Sequence, residues 1–407
     1  MVTRLMLLPI LLSAGALLGA NGGLGTLTAM RAGLEGFPEW IIGLIGSSFF
    51  MGFLVGSLSS AALIRRSGHI RVFAAFSATA AIAVLAMMTV VDPWVWMVAR
   101  LALGIAFSVA ATVVESWLNA LAESSDRGRV LSVYRIVDLA AVTGVQFLIP
   151  ALGVGGIAIF VAMAVMYCAA VVPVALSKLV SPPPPESSRI HLGAVWAISP
   201  VACAGCITLG LTNGAFRQMG PLYAQGMGLD ADGVALFMTL GIAVGLITQY
   251  PLGWLSDRFD RRWTIVVATI GATIGCGVLS LSGVDGVYLG ILLFGAFAVP
   301  LYSLSAAHAN DFAGPGQYIE IAAGLMLFFA LGAIIGPSLS AVVMERFGVS
   351  AFFMYIGIVH ILFLVFVVWR MTRRAAPDRA LRSRFVALLR TSPVFSRLAG
   401  GNGDRER

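Results

Sequence analysis

Arg100, Glu115 and Asp138 are charged side chains that fall within long apolar runs of this chain. Charge at membrane depth is expensive, so each needs a function or a partner. A carboxyl group in apolar surroundings is pushed toward a range where it can take up and release protons. Asp138 is therefore the first candidate for proton coupling, with Arg100 and Glu115 beside it; the other reading of Asp138 is a salt bridge to Arg135 or to a neighbouring helix. Arg100 could bind an anion or modulate a proton site, or it could reach outward to the headgroups. Neutral polar side chains in similar runs, Asn21, Gln146, Asn213 and Gln249, could hydrogen-bond a solute or bridge neighbouring helices. Arg217 and Gln218 are expected at the outer end of their helix, where Arg217 could attract an anion or snorkel.

Other chemistry is thinly provided. Cys203-Ala-Gly-Cys206 has redox or metal spacing but sits in an apolar run with no partner histidine, and reads as small packing residues. His308 and Asp311 share a turn and read as helix caps before metal ligands. Glu320 reads as a partner for a helix N-terminus. The sequence has no paired catalytic histidines, nucleophile motif or nucleotide-binding loop. No enzymatic activity, cofactor or metal is expected, and energy for any work would come from an ion or solute gradient.

The elements that position these residues are set by hydropathy. Of 407 residues, 59% are hydrophobic and 11% charged, with a mean hydropathy of +0.94. A soluble globular protein carries about 25% charge, so the chain must live in a bilayer. Its net charge of +7 lies mostly in turns and in the tail, which fits membrane topology and not a nucleic-acid partner. An all-α membrane protein is expected, with twelve transmembrane helices at roughly 5–29, 38–63, 70–90, 94–121, 130–151, 154–178, 193–217, 231–256, 262–283, 285–308, 317–343 and 348–371. The apolar run after Arg4 resembles a signal peptide but continues through Leu27, so it is read as the first span. Four consecutive prolines within residues 181–188 cannot be helical. They divide the chain into a six-helix bundle (1–178), a cytoplasmic linker (179–192), a second six-helix bundle (193–371) and a basic tail (372–407). The tail segment 379–390 reads either as a helix on the anionic inner leaflet or as a basic coil. Basic residues gather in the turns that share a side with the N-terminus, which places both termini in the cytoplasm; a multi-pass protein of the inner membrane is expected, as a monomer.

Repetition is visible at one offset. Asn21-Gly22 and Asn213-Gly214, Gly68 and Asp260, and Gly144 and Gly336 are each 192 residues apart, so the two bundles are expected to be pseudo-symmetric. Residues 253–262 hold Gly253, Asp257, Arg258, Arg261 and Arg262 in a short charged turn between two apolar runs. This turn resembles the signature of the major facilitator superfamily between helices eight and nine, with Asp260 where the family has a second Gly. The corresponding turn of the first half keeps Gly68, Arg66 and Arg71, but has Ala61 for the first Gly and Arg65 for the acid. Arg100-Leu-Ala-Leu-Gly104 resembles the family's membrane-embedded arginine motif. Gly332-Ala-Ile-Ile-Gly336-Pro337 resembles the Gly-Pro motif that drug–proton antiporters carry in helix five, although here it lies in helix eleven.

The resemblance implies a secondary transporter, symporter or antiporter, that moves a small solute by alternating access, with protons as the coupling ion. Arg65, Arg66, Arg71, Glu115, Asp257, Arg258, Arg261 and Arg262 would form the cytoplasmic gate. Arg66 would pair with Glu115, and Arg258 or Arg262 with an acid of the second half. The other reading is a membrane sensor or scaffold on the same fold; a long soluble domain would favour it, and only about 35 residues follow the last span.

Overall fold

The computed structural model describes residues 2–122, 127–177, 182–183, 191–314, 317–373 and 385. No strand occurs among them. Eleven of the described helices are long and apolar enough to cross a bilayer, and a bent pair makes twelve if it counts as one span. This is the all-α, multi-pass architecture that hydropathy requires, because a helix satisfies its own backbone polar groups in hydrocarbon.

The chain forms two compact units. The first contains most of six helices: α1 (Val2–Leu34), α2 (Glu39–Ser67), α3 (His69–Thr89), α4 (Pro93–Leu121), α5 (Arg127–Leu152) and α6 (Ala158–Ala175). The second unit takes up the first residues of α2, Pro38–Gly43. It then runs through α7 (Leu192–Ile198), α8 (Pro200–Leu209), a π-turn (Gly210–Gly214), α9 (Ala215–Gly226), α10 (Ala231–Arg258) and α11 (Arg261–Leu281). The remaining elements are α12 (Val287–Ala298), α13 (Leu301–Asn310), α14 (Tyr318–Phe347) and α15 (Ala351–Arg373).

Helix starts follow local chemistry. Asp92 accepts from the backbone N–H groups of Trp94 and Val95, and Pro93 occupies the first helical position of α4. Asp230 accepts from the Gly233 N–H and starts α10 in the same way. Between lipid and helix there is no hydrophobic gain from association, so close backbone approach and dispersion must hold each unit together. In the first unit Gly104 on α4 lies against the Phe49 carbonyl of α2, and Gly52 and Gly56 of α2 lie against Leu101 and Ile105. In the second, Gly241 on α10 meets Gly295 on α12. An aromatic cluster fills the rest of that unit: Tyr223 packs edge-on to Phe353 at 4.7 Å and donates its hydroxyl to the Leu279 carbonyl at 2.7 Å.

The seventh span departs from the expected 193–217. Ser199 has extended backbone angles, accepts from the Ala202 N–H and precedes Pro200 at the first helical position. Proline disfavours helix in the residue before it, so α7 ends at Ile198 and the chain turns by 112°. The span proper is Pro200–Gly226. Arg217 therefore lies nine residues short of its end, about 13 Å at ~1.5 Å per residue, and not at the outer end.

Candidate functional site

The centre of the seventh span is irregular. Residues Gly210–Gly214 form a π-turn, a feature that often marks functional positions in helices. Its cause is close packing with α14. Gly210 lies against Phe329 and Ala333, Gly332 against the Ile207 carbonyl, and Gly336 against the Leu211 carbonyl. Two Gly-x-x-x-Gly pairs thus face each other, which gives the Gly332–Gly336 segment a packing role. Tyr355 on α15 donates its hydroxyl to the Leu211 carbonyl at 3.3 Å.

Asn213 sits inside this turn, thirteen residues from either end of the span. It is buried, and neither its Nδ2 nor its Oδ1 has a hydrogen-bond partner. An unpaired buried amide is costly, about 1–3 kcal/mol on mutational scales, so the position carries two orphaned polar atoms at mid-depth. Arg217 follows four residues later on the same face and is partly exposed. Gln249 is buried on α10.

In the first unit the polar residues are more fully engaged. Gln146 on α5 is buried and donates from Nε2 to the Gly22 carbonyl of α1 at 3.2 Å, while its Oε1 has no partner. Asn21, beside Gly22, is partly exposed. The two halves echo each other here: Gly22 lies against Val142 on α5, and Gly214 lies against Ala333 on α14.

Arg100 does not snorkel. It is 1% exposed, and its guanidinium lies 4.6 Å from the centre of the Phe49 ring. The buried Tyr167 of α6 is its electrostatic neighbour. Glu115 is fully buried and accepts from the Tyr134 hydroxyl at 3.4 Å. The expected pair with Arg66 is not formed: Arg65, Arg66 and Arg71 are exposed, and no ion pair among the described residues includes them. Asp138 lies eleven residues into α5, about 16 Å at ~1.5 Å per residue. That is three turns in rather than the one to two expected, because the helix starts at Arg127. Its charge acts on Arg135 of the same helix.

The charged turn of the second unit is organised by Arg261. Its side chain is 1% exposed, bonds Asp311 Oδ2 through Nε at 2.7 Å and Ser256 through Nη1 at 3.1 Å, and lies 3.2 Å from Asp257. Arg258 instead stacks 3.8 Å over the Trp254 ring, and Arg262 turns back onto Asp260 at 2.7 Å. Arg262 thus meets an acid of the second half, as expected, but that acid is its near neighbour Asp260, while the buried acid Asp311 is met by Arg261. Asp311 closes α13 as its C-cap, its N–H donating to the Ala307 carbonyl at 3.1 Å, and its side chain, 1% exposed, is in addition an ion-pair partner. Glu320 bonds the backbone N–H of His191 at 3.3 Å.

Gly68 and Asp260 start α3 and α11 by different means. Gly68 has φ +78, which favours glycine. Asp260 has φ −64 and accepts from the Arg262 N–H at 3.0 Å. The family glycine is therefore replaced where the backbone no longer needs it. Gly68→Ala and Asp260→Ala are each expected to cost about 1 kcal/mol, the first by backbone strain and the second by loss of the cap. Thermal unfolding in detergent checks both, and Gly68→Asn should be milder than Gly68→Ala because asparagine tolerates that conformation.

Of the tail segment 379–390, only Phe385 lies among the described residues, and the Pro-rich linker lies largely outside them. The Phe385 N–H donates to both Asp257 oxygens at 2.9 and 3.2 Å, and its ring lies against Gly253.

A family model described as Major Facilitator Superfamily matches residues 6–248 and 201–400. An uncharacterised MFS-type transporter of Enterobacter sp. (strain 638) is 27% identical over 360 residues, covering 87% of this chain and 93% of the relative. The uncharacterised MFS-type transporter YcaD of Escherichia fergusonii is 24% identical over 344 residues, covering 84% and 90%. Among solved structures, a point mutant of the nucleoside transporter NupG aligns with a TM-score of 0.77 at 11% identity, over 89% of this chain and 99% of that one. A bacterial homolog of the human lysosomal transporter Spinster aligns with a TM-score of 0.73 at 11% identity, over 93% and 98%. Similarity at such identities speaks to the fold alone.

Proposed function

The chain belongs to the major facilitator superfamily, and we propose that it moves a small polar solute across the inner membrane by alternating access, coupled to protons. The observation that carries this reading is the Asn213 carboxamide, buried at mid-span with both polar atoms unpartnered. Transporters of this architecture bind substrate near the bilayer midplane. A solute with a donor and an acceptor would satisfy both atoms at once, and Arg217 on the same face would favour one that also bears negative charge. Asn21, Gln146 and Gln249 are proposed to complete the contacts.

Asp138 is the proposed proton carrier. It lies deep in α5 yet keeps partial exposure, so a proton can reach it. Arg100 and Glu115 are proposed to set the field around it from α4. Residues 257–262 are the proposed cytoplasmic gate element of the second half, with Asp257 and Arg258 at its surface and Arg261 and Arg262 beneath. Arg65, Arg66 and Arg71 supply the basic surface of the first half's gate, while Glu115 is engaged by Tyr134.

Proteoliposomes containing the purified chain, incubated in a metabolite extract from a strain deleted for it, test this reading. An imposed pH gradient is expected to enrich at least one solute inside relative to protein-free vesicles. If no solute responds to the gradient, proton-coupled transport is wrong. Asp138→Asn is expected to abolish gradient-driven accumulation of that solute while leaving solute–solute exchange intact; loss of both would make Asp138 a structural residue.

A further inference from the structure

The turn between α2 and α3 carries charge of one sign only. Arg65 and Arg66 close α2, and Arg71 lies in the first turn of α3. Residues 61–72 contain no acid. At the repeat offset of 192 residues, Arg65 stands where the second half has Asp257, and Gly68 stands where it has Asp260. The second half's turn thus holds its own counter-charges: Asp257 lies 3.2 Å from Arg261, and Asp260 lies 2.7 Å from Arg262. The first half's turn lacks both. Arg65, Arg66 and Arg71 are exposed, and none of them joins an ion pair among the described residues. Glu115, expected to neutralise Arg66, is fully buried and engaged by the Tyr134 hydroxyl.

The surroundings of this turn suit a lipid headgroup. Two helices long and apolar enough to span meet here, so the turn lies where hydrocarbon gives way to water. Gly68 at its tip has φ +78, and a methyl group built on it would meet nothing within 4 Å, so the space around the tip is open. No side chain caps α3 at Gly68, which leaves the first N–H groups of that helix to an outside acceptor. His69 takes no part: it is buried, with its ring 5.6 Å from that of Trp117. An exposed face runs away from the turn. Arg71, Ala75, Ala78, Ile82 and Leu85 share one side of α3 at helical spacing, and all five are exposed. A phosphate at Arg71 therefore sits at the head of an apolar track, where the two alanines leave room for an acyl chain. A soluble phosphate would gain nothing from that track.

We propose that the turn between α2 and α3 binds the phosphate of an anionic phospholipid, which supplies the negative charge that the turn itself lacks. A guanidinium is a planar fork suited to phosphate oxygens. Any arginine at headgroup depth is drawn to anionic lipid; this turn is set apart because no acid competes for its three. The bound lipid joins the end of α2 to the start of α3, as the Asp257–Arg261 pair joins α10 to α11. The site depends neither on the transported solute nor on proton coupling.

Full-length protein, delipidated in a neutral detergent, tests this by thermal unfolding and by binding of a fluorescent phosphatidylglycerol. Phosphatidylcholine, and inorganic phosphate at equal ionic strength, are the comparison probes. Phosphatidylglycerol is expected to raise Tm and to bind wild type roughly tenfold more tightly than Arg65→Asp. That substitution also places an acid beside Arg66 and Arg71, so the delipidated variant should start at a higher Tm than wild type and respond little to the lipid. Arg129→Asp makes the same charge change at an exposed position of α5, and should bind within about twofold of wild type because salt confines a surface charge to its surroundings. If Arg65→Asp does not fold, the double variant Arg66→Gln with Arg71→Gln carries the comparison, and a several-fold weakening is expected. Equal phosphatidylglycerol responses in wild type and the turn variant that folds, or equal losses in that variant and Arg129→Asp, overturn the proposal. So does a rise in Tm with phosphatidylcholine or inorganic phosphate equal to that with phosphatidylglycerol.

Discussion

Arg261→Ala is expected to destabilise the second unit by about 3–5 kcal/mol, the usual cost of removing one partner of a buried ion pair. Asp311, with its carboxylate 1% exposed, would lose its Arg261 partner, and Ser256 and Asp257 would lose their shared donor. Arg261→Lys should fall in between, because an ammonium cannot reach three acceptors with the geometry of a guanidinium. The double variant Arg261→Met with Asp311→Leu should recover most of the loss, since replacing a whole buried pair by apolar groups is often neutral. Thermal unfolding in detergent reads all three. An unchanged Tm in Arg261→Ala would mean that the pair is not what holds the turn. The double variant also separates two roles. If it is stable but its transport is altered, the ion pair serves the gate rather than the fold.

This pair was only half legible in the sequence. The charged turn stood out because five charges fall in six residues between apolar runs. Which arginine would point inward depends on helix phase, and that is set where α11 begins. Asp260 caps the helix and draws Arg262 back onto itself, so Arg261 is the one turned toward Asp311, fifty residues away in the chain. The spans themselves were plain, because a bilayer demands about 20 apolar residues for each crossing. The seventh was misplaced because its apolar character runs across Ser199, and the Ser-Pro start signal was there to be read. The π-turn could not be read at all. It arises from backbone contact with α14, and no local propensity specifies it. Asp138 is legible as an acid within a span, but the polar first residues of α5 hide about one turn of its depth.

Asn213→Leu is expected to leave the protein as stable as before, or more stable, and to abolish transport. The two side chains share one branched heavy-atom skeleton, leucine being the bulkier, so the π-turn should keep its packing against α14 after a small local adjustment. The substitution removes two buried polar atoms that have no partner, and relieving such a burial recovers up to about 1–3 kcal/mol. A structural asparagine would behave in the opposite way: its loss would break hydrogen bonds and lower Tm. The combination of retained or raised Tm with lost uptake is therefore specific to a residue whose partner is supplied only when solute binds. Asn213→Gln, which keeps the amide but moves it by one methylene, should retain stability and weaken uptake rather than abolish it. A lowered Tm with uptake intact in Asn213→Leu would remove Asn213 from the binding site. A protein that carries an unsatisfied amide at the centre of a span gives up some stability for it, and the solute that satisfies both atoms is the natural compensation.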